Sequence, residues 1–211
     1  MNARRWPHPV ASGLQARTKM PGTPSLELQL PKDRLANFFP LFQEGVEVEV
    51  EVGHTVRQML MEQFNISRDY QANRITTIFL NHKAVDDAAT AVIEDGATLA
   101  LSGAMPGLVG ATMRSGGHLA AMRDGITYRN PEQAPATGRG RIRLKLFNLL
   151  LPELAPRILL HGILLEPQRF SSLFAELPES FHSGDRLSVA DKRLRENEHL
   201  ELRVLFGDRK P

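Results

Sequence analysis

Val46-Glu47-Val48-Glu49-Val50-Glu51-Val52 is the most regular stretch of the chain. Its four valines alternate with three glutamates, and the side chains of a β-strand point alternately to its two faces. The stretch therefore predicts a strand with one face in a core and the other in water.

A helix is predicted directly after this strand. Thr55 and Gln58 fit a capping box, in which the threonine hydroxyl accepts a hydrogen bond from an otherwise unpaired amide of the first turn. The apolar residues that follow recur at helical spacing and form one stripe: Val56, Met59, Leu60 and Phe64.

Further strands are predicted on both sides of this strand and helix. Leucines alternate with polar residues over 26–30, β-branched and apolar residues fill 75–80, and a last short strand covers 98–102. A loop rich in Phe and Pro is predicted at 38–42. The order strand, strand, helix, strand, short piece, strand predicts an α+β fold in which a helix lies across a mixed sheet.

Two segments carry a resemblance to a known family: Ile78-Phe79-Leu80-Asn81-His82-Lys83-Ala84-Val85-Asp86-Asp87 and Asp95-Gly96-Ala97-Thr98-Leu99-Ala100-Leu101. They resemble the second half of the bacterial sulfur carriers, a subfamily of the β-grasp (ubiquitin-like) proteins. The subfamily includes the small subunit of molybdopterin synthase and the thiamine-pathway sulfur carrier. The resemblance covers residues 25–117. It implies a β-grasp fold and a non-enzymatic role with a partner enzyme in sulfur transfer or in molybdopterin- or thiamine-type cofactor synthesis.

The resemblance also implies a carrier tail. In these carriers the last strand runs into a flexible tail that ends in Gly-Gly. A partner adenylates the terminal carboxylate and converts it to a thiocarboxylate. Gly116 and Gly117 correspond to that tail, but 94 residues follow them here. Carrier chemistry therefore requires cleavage after Gly117, unless the tail region serves another use.

The glycine-rich stretch 103–117 has other interpretations. It is a link or a closely packed segment, a tail that docks into a partner, or a ligand loop. It lacks the Gly-Lys-Ser/Thr triplet and the G-x-G-x-x-G spacing of phosphate-binding loops. Six residues in and after it are candidate contacts for a partner or a ligand: Gly107, Gly110, Arg114, Ser115, His118 and Arg123.

A second folded region is predicted after a Pro- and Gly-containing linker at 129–140. Residues 141–146 alternate basic and apolar side chains and predict a strand, which we expect to be a solvated edge strand protected by its charges. An apolar run at 157–165 predicts another strand, Pro167 begins a helix, and 200–206 forms a closing strand. This order leaves open a divergent second β-grasp unit.

The chain thus divides into four predicted regions. They are a disordered basic arm (1–24), a β-grasp, sulfur-carrier-like domain (25–104), a glycine-rich connector and linker (105–140) and a small α+β domain (141–211). The arm carries most of the basic excess, and the whole chain has a net charge of only +2. We therefore do not expect nucleic-acid binding.

The inventory of reactive side chains predicts no catalytic site, no metal and no cofactor. The chain has no cysteine, which excludes disulfides, thiolate nucleophiles and cysteine-bound metals. No two of its seven histidines are three or four residues apart, as a helical metal pair requires. Ser115 and His118, with Asp124 nearby, are the only local nucleophile–base pair, and catalytic triads are assembled across a fold rather than within one segment.

Two functional hypotheses follow. The first is a non-enzymatic, carrier-like or protein-interaction module that engages a partner enzyme. The alternative is a fused enzyme or ligand-binding protein with its site at the domain junction around the connector. No window reaches the roughly 18 apolar residues of a membrane span, and the basic arm lacks the apolar region of an export signal. We therefore expect a cytoplasmic protein without a membrane partner.

Overall fold

The fold was determined as a computed structural model that describes residues 24–103, 107–130, 136–175 and 199–207. In these residues eight strands form one mixed sheet. The strands are β1 (Ser25–Pro31), β2 (Val46–Val52), β3 (Thr77–Leu80), β4 (Lys83–Ala84), β5 (Thr98–Ser102), β6 (Gly138–Phe147), β7 (Ile163–Leu165) and β8 (Leu200–Gly207).

Helices connect these strands. The α-helices of the described residues are α1 (Phe39–Glu44), α2 (Val56–Glu62), α3 (Arg68–Arg74), α4 (Gly107–Met113), α5 (Leu150–His161) and α6 (Pro167–Ala175). Two 3₁₀ segments cover Lys32–Phe38 and Ala120–Ile126. The combination of a mixed sheet and helices confirms the α+β class.

The strand that decides the fold has the predicted structure. Val46, Val48, Val50 and Val52 are buried. Helix α2 begins with the predicted capping box, in which the Thr55 hydroxyl accepts from the Gln58 amide and the Gln58 side chain accepts from the Thr55 amide. The predicted stripe of α2, continued by Phe64, is buried in the same apolar core as the valines.

The strand order is β1-β8-β7-β2-β6-β5-β3-β4, and it joins the two predicted folded regions into one sheet. Strand β6 lies between β2 and β5, antiparallel to β2 and parallel to β5. Strand β1 forms one edge of the sheet, with β4 at the other edge, and runs parallel to β8. Each half of the chain therefore receives one strand from the other half. We call this arrangement the strand exchange.

The position of β6 corrects the expectation of a solvated edge strand. Its residues Arg143 and Arg139 stand opposite Glu47 and Glu51 of β2 in the register. The nearest nitrogen–oxygen distances are 3.7 Å for Arg143–Glu47 and 3.9 Å for Arg139–Glu51. Opposite charges facing each other across an antiparallel pair are favourable. The basic residues of β6 therefore match the glutamates of β2 and do not guard an edge.

The pairing between β2 and β7 is the weakest in the sheet. We call this junction the seam. Only one residue pair, Glu47 with Leu164, joins β2 to β7 among the described residues. Beyond it, the Gln63 side chain takes the place of a neighbouring strand, accepting from the Glu51 amide at 2.8 Å and donating to the Glu51 carbonyl at 3.1 Å. His161 also contacts the β2 backbone at the seam, with its Nε2 3.0 Å from the Glu49 carbonyl oxygen.

Two local predictions are wrong. Residues 39–44 form helix α1 rather than a loop, and Phe42 on this helix is fully buried. Residues 157–161 belong to helix α5 rather than to a strand. The apolar residues of α5 recur at helical spacing over its whole length, which places one face in the core. Pro156 lies inside this helix, although proline removes one of its hydrogen bonds.

The remaining predicted elements have mixed outcomes. Helix α6 and strand β8 form where the sequence placed them. The predicted connector, 105–140, contains α4 and the Ala120–Ile126 segment, and its last three residues begin β6. The basic arm lies outside the described residues except for Pro24.

Candidate functional site

The connector is held against the β3–β4 edge of the sheet by one buried arginine. Arg123 is only 4% exposed. Its Nε donates to the Thr112 carbonyl at 2.6 Å, and its Nη2 donates to the Asp86 carboxylate at 2.5 Å. Weaker contacts reach the Ala84 carbonyl and the Thr127 hydroxyl at 3.5 and 3.3 Å. Arg123 therefore joins helix α4 and the 3₁₀ segment, on which it lies, to the loop after β4.

Ser115 makes a second attachment. Its amide donates to the Thr76 carbonyl at 3.0 Å, and its hydroxyl donates to the Val85 carbonyl at 2.8 Å. The amide of Gly116 donates to Asp86 at 3.1 Å. Asp86 thus accepts hydrogen bonds from two parts of the connector, and its carboxylate has a structural role.

The two carrier-tail candidates lie in a turn within this attachment. Gly116 has φ +62°, a left-handed conformation that glycine adopts without strain. The amide of Gly117 donates to the Arg114 carbonyl at 3.1 Å. In the intact chain, the tight turn explains why glycines occupy these two positions.

The other candidate contact residues are spread over the same segment. Gly107 begins helix α4 with φ +73°, and Gly110 is buried in it. Arg114 and His118 are exposed on either side of the glycine turn. The structure thus brings Gly116 and Arg123 together at Asp86, with Ser115 bonded to the neighbouring Val85, and leaves Arg114 and His118 exposed.

The connector carries an apolar surface. Leu108 and Val109 of α4 are 69% and 60% exposed, and Met122 and Ile126 of the following 3₁₀ segment are 70% and 43% exposed. We call these four residues the connector surface. Helix α4 and the 3₁₀ segment contact each other. Of the six large apolar residues exposed in the described chain, these four lie on one short segment.

The Ser115–His118 pair is not assembled as a nucleophile and base. The Ser115 hydroxyl is engaged by the Val85 carbonyl, and no hydrogen bond joins it to His118 within the described ranges. The side chain of Asp124 lies outside the described residues.

No group of three histidine, aspartate or glutamate residues is placed to hold a metal ion in the part of the chain that the structure describes. Asp87, next to Asp86, accepts from the Arg57 guanidinium at 3.2 Å and from the Ala89 amide at 2.8 Å. Both neighbouring aspartates therefore stabilise loops through ordinary hydrogen bonds.

A polar cluster between α3 and α5 was not anticipated from the sequence. The Tyr70 hydroxyl donates to Glu153 at 2.5 Å, and Arg74 forms an ion pair with the same carboxylate. Burial, with the nearby Glu153 carboxylate, raises the pKa of Tyr70 well above its ordinary value. Burial alone would raise the pKa of Glu153, but the hydrogen bonds from Arg74 and Tyr70 outweigh it and hold that pKa below its ordinary value of 4.5. The cluster links the two halves of the chain.

One long-range signal in the sequence could have predicted a contact that was missed. The glutamates of 46–52 and the basic residues of 139–145 share a spacing of two, which fits two facing strands. Glu153 lies 79 residues after Arg74, and no sequence pattern marks that pair.

None of the helices in the described ranges combines the length and the apolar character that a bilayer crossing requires. Comparisons of the chain with protein-family models, with curated proteins and with solved structures found no match.

Proposed function

We propose that the chain is a non-enzymatic, β-grasp-like protein-interaction module that presents the connector surface to a partner protein. The observation that carries the proposal is the cluster of exposed apolar side chains on a segment that a buried arginine holds in place. Exposed apolar patches commonly mark interaction sites, and the contact between α4 and the 3₁₀ segment brings the elements that carry these side chains together.

The β-grasp part of the proposal is supported by the order of five strands. Strands β4-β3-β5-β6-β2 lie side by side, with the parallel pair β5–β6 flanked by antiparallel neighbours. A β-grasp sheet likewise has a central parallel pair, formed by its first and last strands. In this chain the place of that first strand is taken by β6, which comes last in the sequence among the five.

The fixed position of the connector favours binding through a preformed surface. A segment that is already ordered loses less conformational entropy on association than a free tail does. The hydrogen bonds of Arg123 and Ser115 supply that order. Met122 adds a flexible, polarisable side chain, which suits adaptable apolar contacts.

The partner proposed from the family resemblance is an enzyme of a sulfur-transfer or cofactor-synthesis pathway. Thiocarboxylate chemistry itself requires a free carboxylate at Gly117. In the intact chain, Gly117 is followed by further residues and its amide bonds within the turn. We therefore propose that the intact chain engages its partner through the connector surface, with sulfur transfer reserved for a form cleaved after Gly117.

Site-specific crosslinking tests the interaction surface. A photoactivatable side chain is placed at Leu108 or at Met122 of the full-length chain in its native host, and at Leu205 as the matched control. Leu205 is 51% exposed on β8, away from the connector. We expect positions 108 and 122 to capture the same protein and position 205 not to capture it.

The variant Met122→Asp provides the second arm of this test. It should reduce capture from position 108 at least tenfold without changing the thermal unfolding midpoint, because Met122 is exposed. Equal capture at position 205, or capture that survives Met122→Asp, would contradict the proposal.

Intact-mass measurement separates the carrier form from the intact module. A species that ends at Gly117 would establish cleavage, and exchange of one of its oxygens for sulfur would establish carrier chemistry. Full-length protein alone, together with positive crosslinking, would leave the interaction role without the carrier role.

A further inference from the structure

Strand β6 occupies a slot between two strands of the first half of the chain. It pairs with β2 over seven residues, from Val46–Leu144 to Val52–Gly138, and with β5 over five. Neither pairing is a hairpin, since the connector separates β5 from β6. Since no short turn joins β6 to β2 or to β5, the strand that fills the slot can come from the same molecule or from another one.

The slot is specific for a strand of this sequence type. Its core side receives Ile142, Leu144 and Leu146, all of them buried. Its other side places the glutamates of β2 opposite the arginines of β6. An alternating basic and apolar strand fits both faces, and a shift by one residue would bury its charges.

A linker precedes β6. Tyr128 attaches the connector to β4, with its amide donating to the Ala84 carbonyl at 2.8 Å. Nine residues, 129–137, lie between it and Gly138, and ten residue steps span at most about 30–35 Å. The described residues of this interval (129, 130, 136 and 137) are exposed, so none of these four buries its side chain in the core.

We infer that the strand exchange also operates between molecules, with a second copy of this chain as the partner. Residues 24–128 of one copy and 138–207 of the other build the same folded unit, and both β6 and β8 find their usual neighbours. Every contact between described residues outside 129–137 is preserved, so concentration decides between the two forms. A tethered strand has an effective concentration of order millimolar. The single-copy form therefore prevails at micromolar concentration, and the exchanged dimer forms when chains fold together at high concentration.

Complementation between two damaged full-length chains tests this inference. Val48→Asp damages the slot, and Leu144→Asp damages the strand; both residues are fully buried. Each variant alone should lose cooperative unfolding. When the two are denatured together and refolded as a mixture, one of the two units in a heterodimer combines an intact first half with an intact second half. The expected result is up to half of the wild-type unfolding amplitude, carried by a species with the mass of two chains.

A same-half mixture is the control. Leu144→Asp and Leu202→Asp both damage the second half, so no pairing of these chains yields an intact unit. Wild-type protein is refolded in parallel. If the Val48→Asp and Leu144→Asp mixture recovers no more amplitude than the control mixture while the wild type refolds, the inference is overturned.

Discussion

Replacing Arg123 with Met should release the connector while leaving the sheet folded. The methionine fills similar space but removes the two short hydrogen bonds, to Thr112 and Asp86. Hydrogen bonds of charged groups contribute about 1.5–3 kcal/mol each. Asp86 keeps its bond from the Gly116 amide, and its side chain is 38% exposed, so water compensates part of the loss. We expect a cost of about 3 kcal/mol, confined to the connector.

Hydrogen exchange measures this local cost residue by residue. The amides of Ser115 and Tyr128 are hydrogen-bonded to the β3–β4 edge. A loss of about 3 kcal/mol corresponds to roughly 100-fold faster exchange of these amides. The amides of β2 should exchange as slowly as in the wild type, because β6 and β5 separate β2 from the β3–β4 edge in the sheet.

Arg114→Met is the matched control for this experiment. Arg114 is exposed, and only its backbone carbonyl takes part in the attachment. Its replacement should leave exchange at Ser115 unchanged. If Arg123→Met leaves Ser115 and Tyr128 as protected as before, or if β2 loses protection equally, the reasoning about a local attachment is refuted.

Three further outcomes are expected. Thr55→Ala should lower the free energy of unfolding by about 1 kcal/mol in denaturant titrations, because it removes the cap of α2; an unchanged midpoint would contradict the capping box. Glu153→Gln should destabilise the protein near neutral pH, and the difference from wild type should shrink as the pH falls below about 4.5, since the depressed pKa of Glu153 stabilises the fold only while the carboxylate is ionised. A stability difference between Glu153→Gln and wild type that grows in acid would contradict this prediction. Gly116→Ala should cost about 1 kcal/mol in connector stability because of its positive φ, even though nothing lies within 4 Å of the added methyl; exchange rates at Ser115 equal to wild type would exclude that strain.

Elements with a strong local pattern could be predicted from the sequence. The alternation at 46–52 and the stripe that follows Thr55 each predict which side chains are buried, and both predictions are confirmed. Helix α5 was not predicted, because an apolar run such as 157–165 fits a buried strand as well as a buried helix, and the helix contains two prolines, Pro152 and Pro156. Pro152 lies in the first turn, where amides have no helical partner, and the apolar face of α5 compensates for Pro156.

The pairing of the strands could not be predicted from local patterns. Alternation shows that 138–147 is a strand, but does not show which strands flank it. The position between β2 and β5 depends on side-chain charges and packing separated by some ninety residues. The same holds for the candidate site. Arg123 was identified as a contact residue, but its partner Asp86 lies 37 residues earlier, and no motif connects them.

The late position of β6 in the chain has a consequence for synthesis on the ribosome. Strands β2 and β5 are complete at residue 102, whereas β6 ends at residue 147. At about 5–20 residues per second, the remaining 45 residues take roughly 2–9 s. During that interval β2 and β5 of the nascent chain lack the strand that pairs with both of them. Unpaired apolar strands are prone to aggregation. We therefore expect the yield of native protein to depend on chaperone supply and on translation speed between residues 102 and 147.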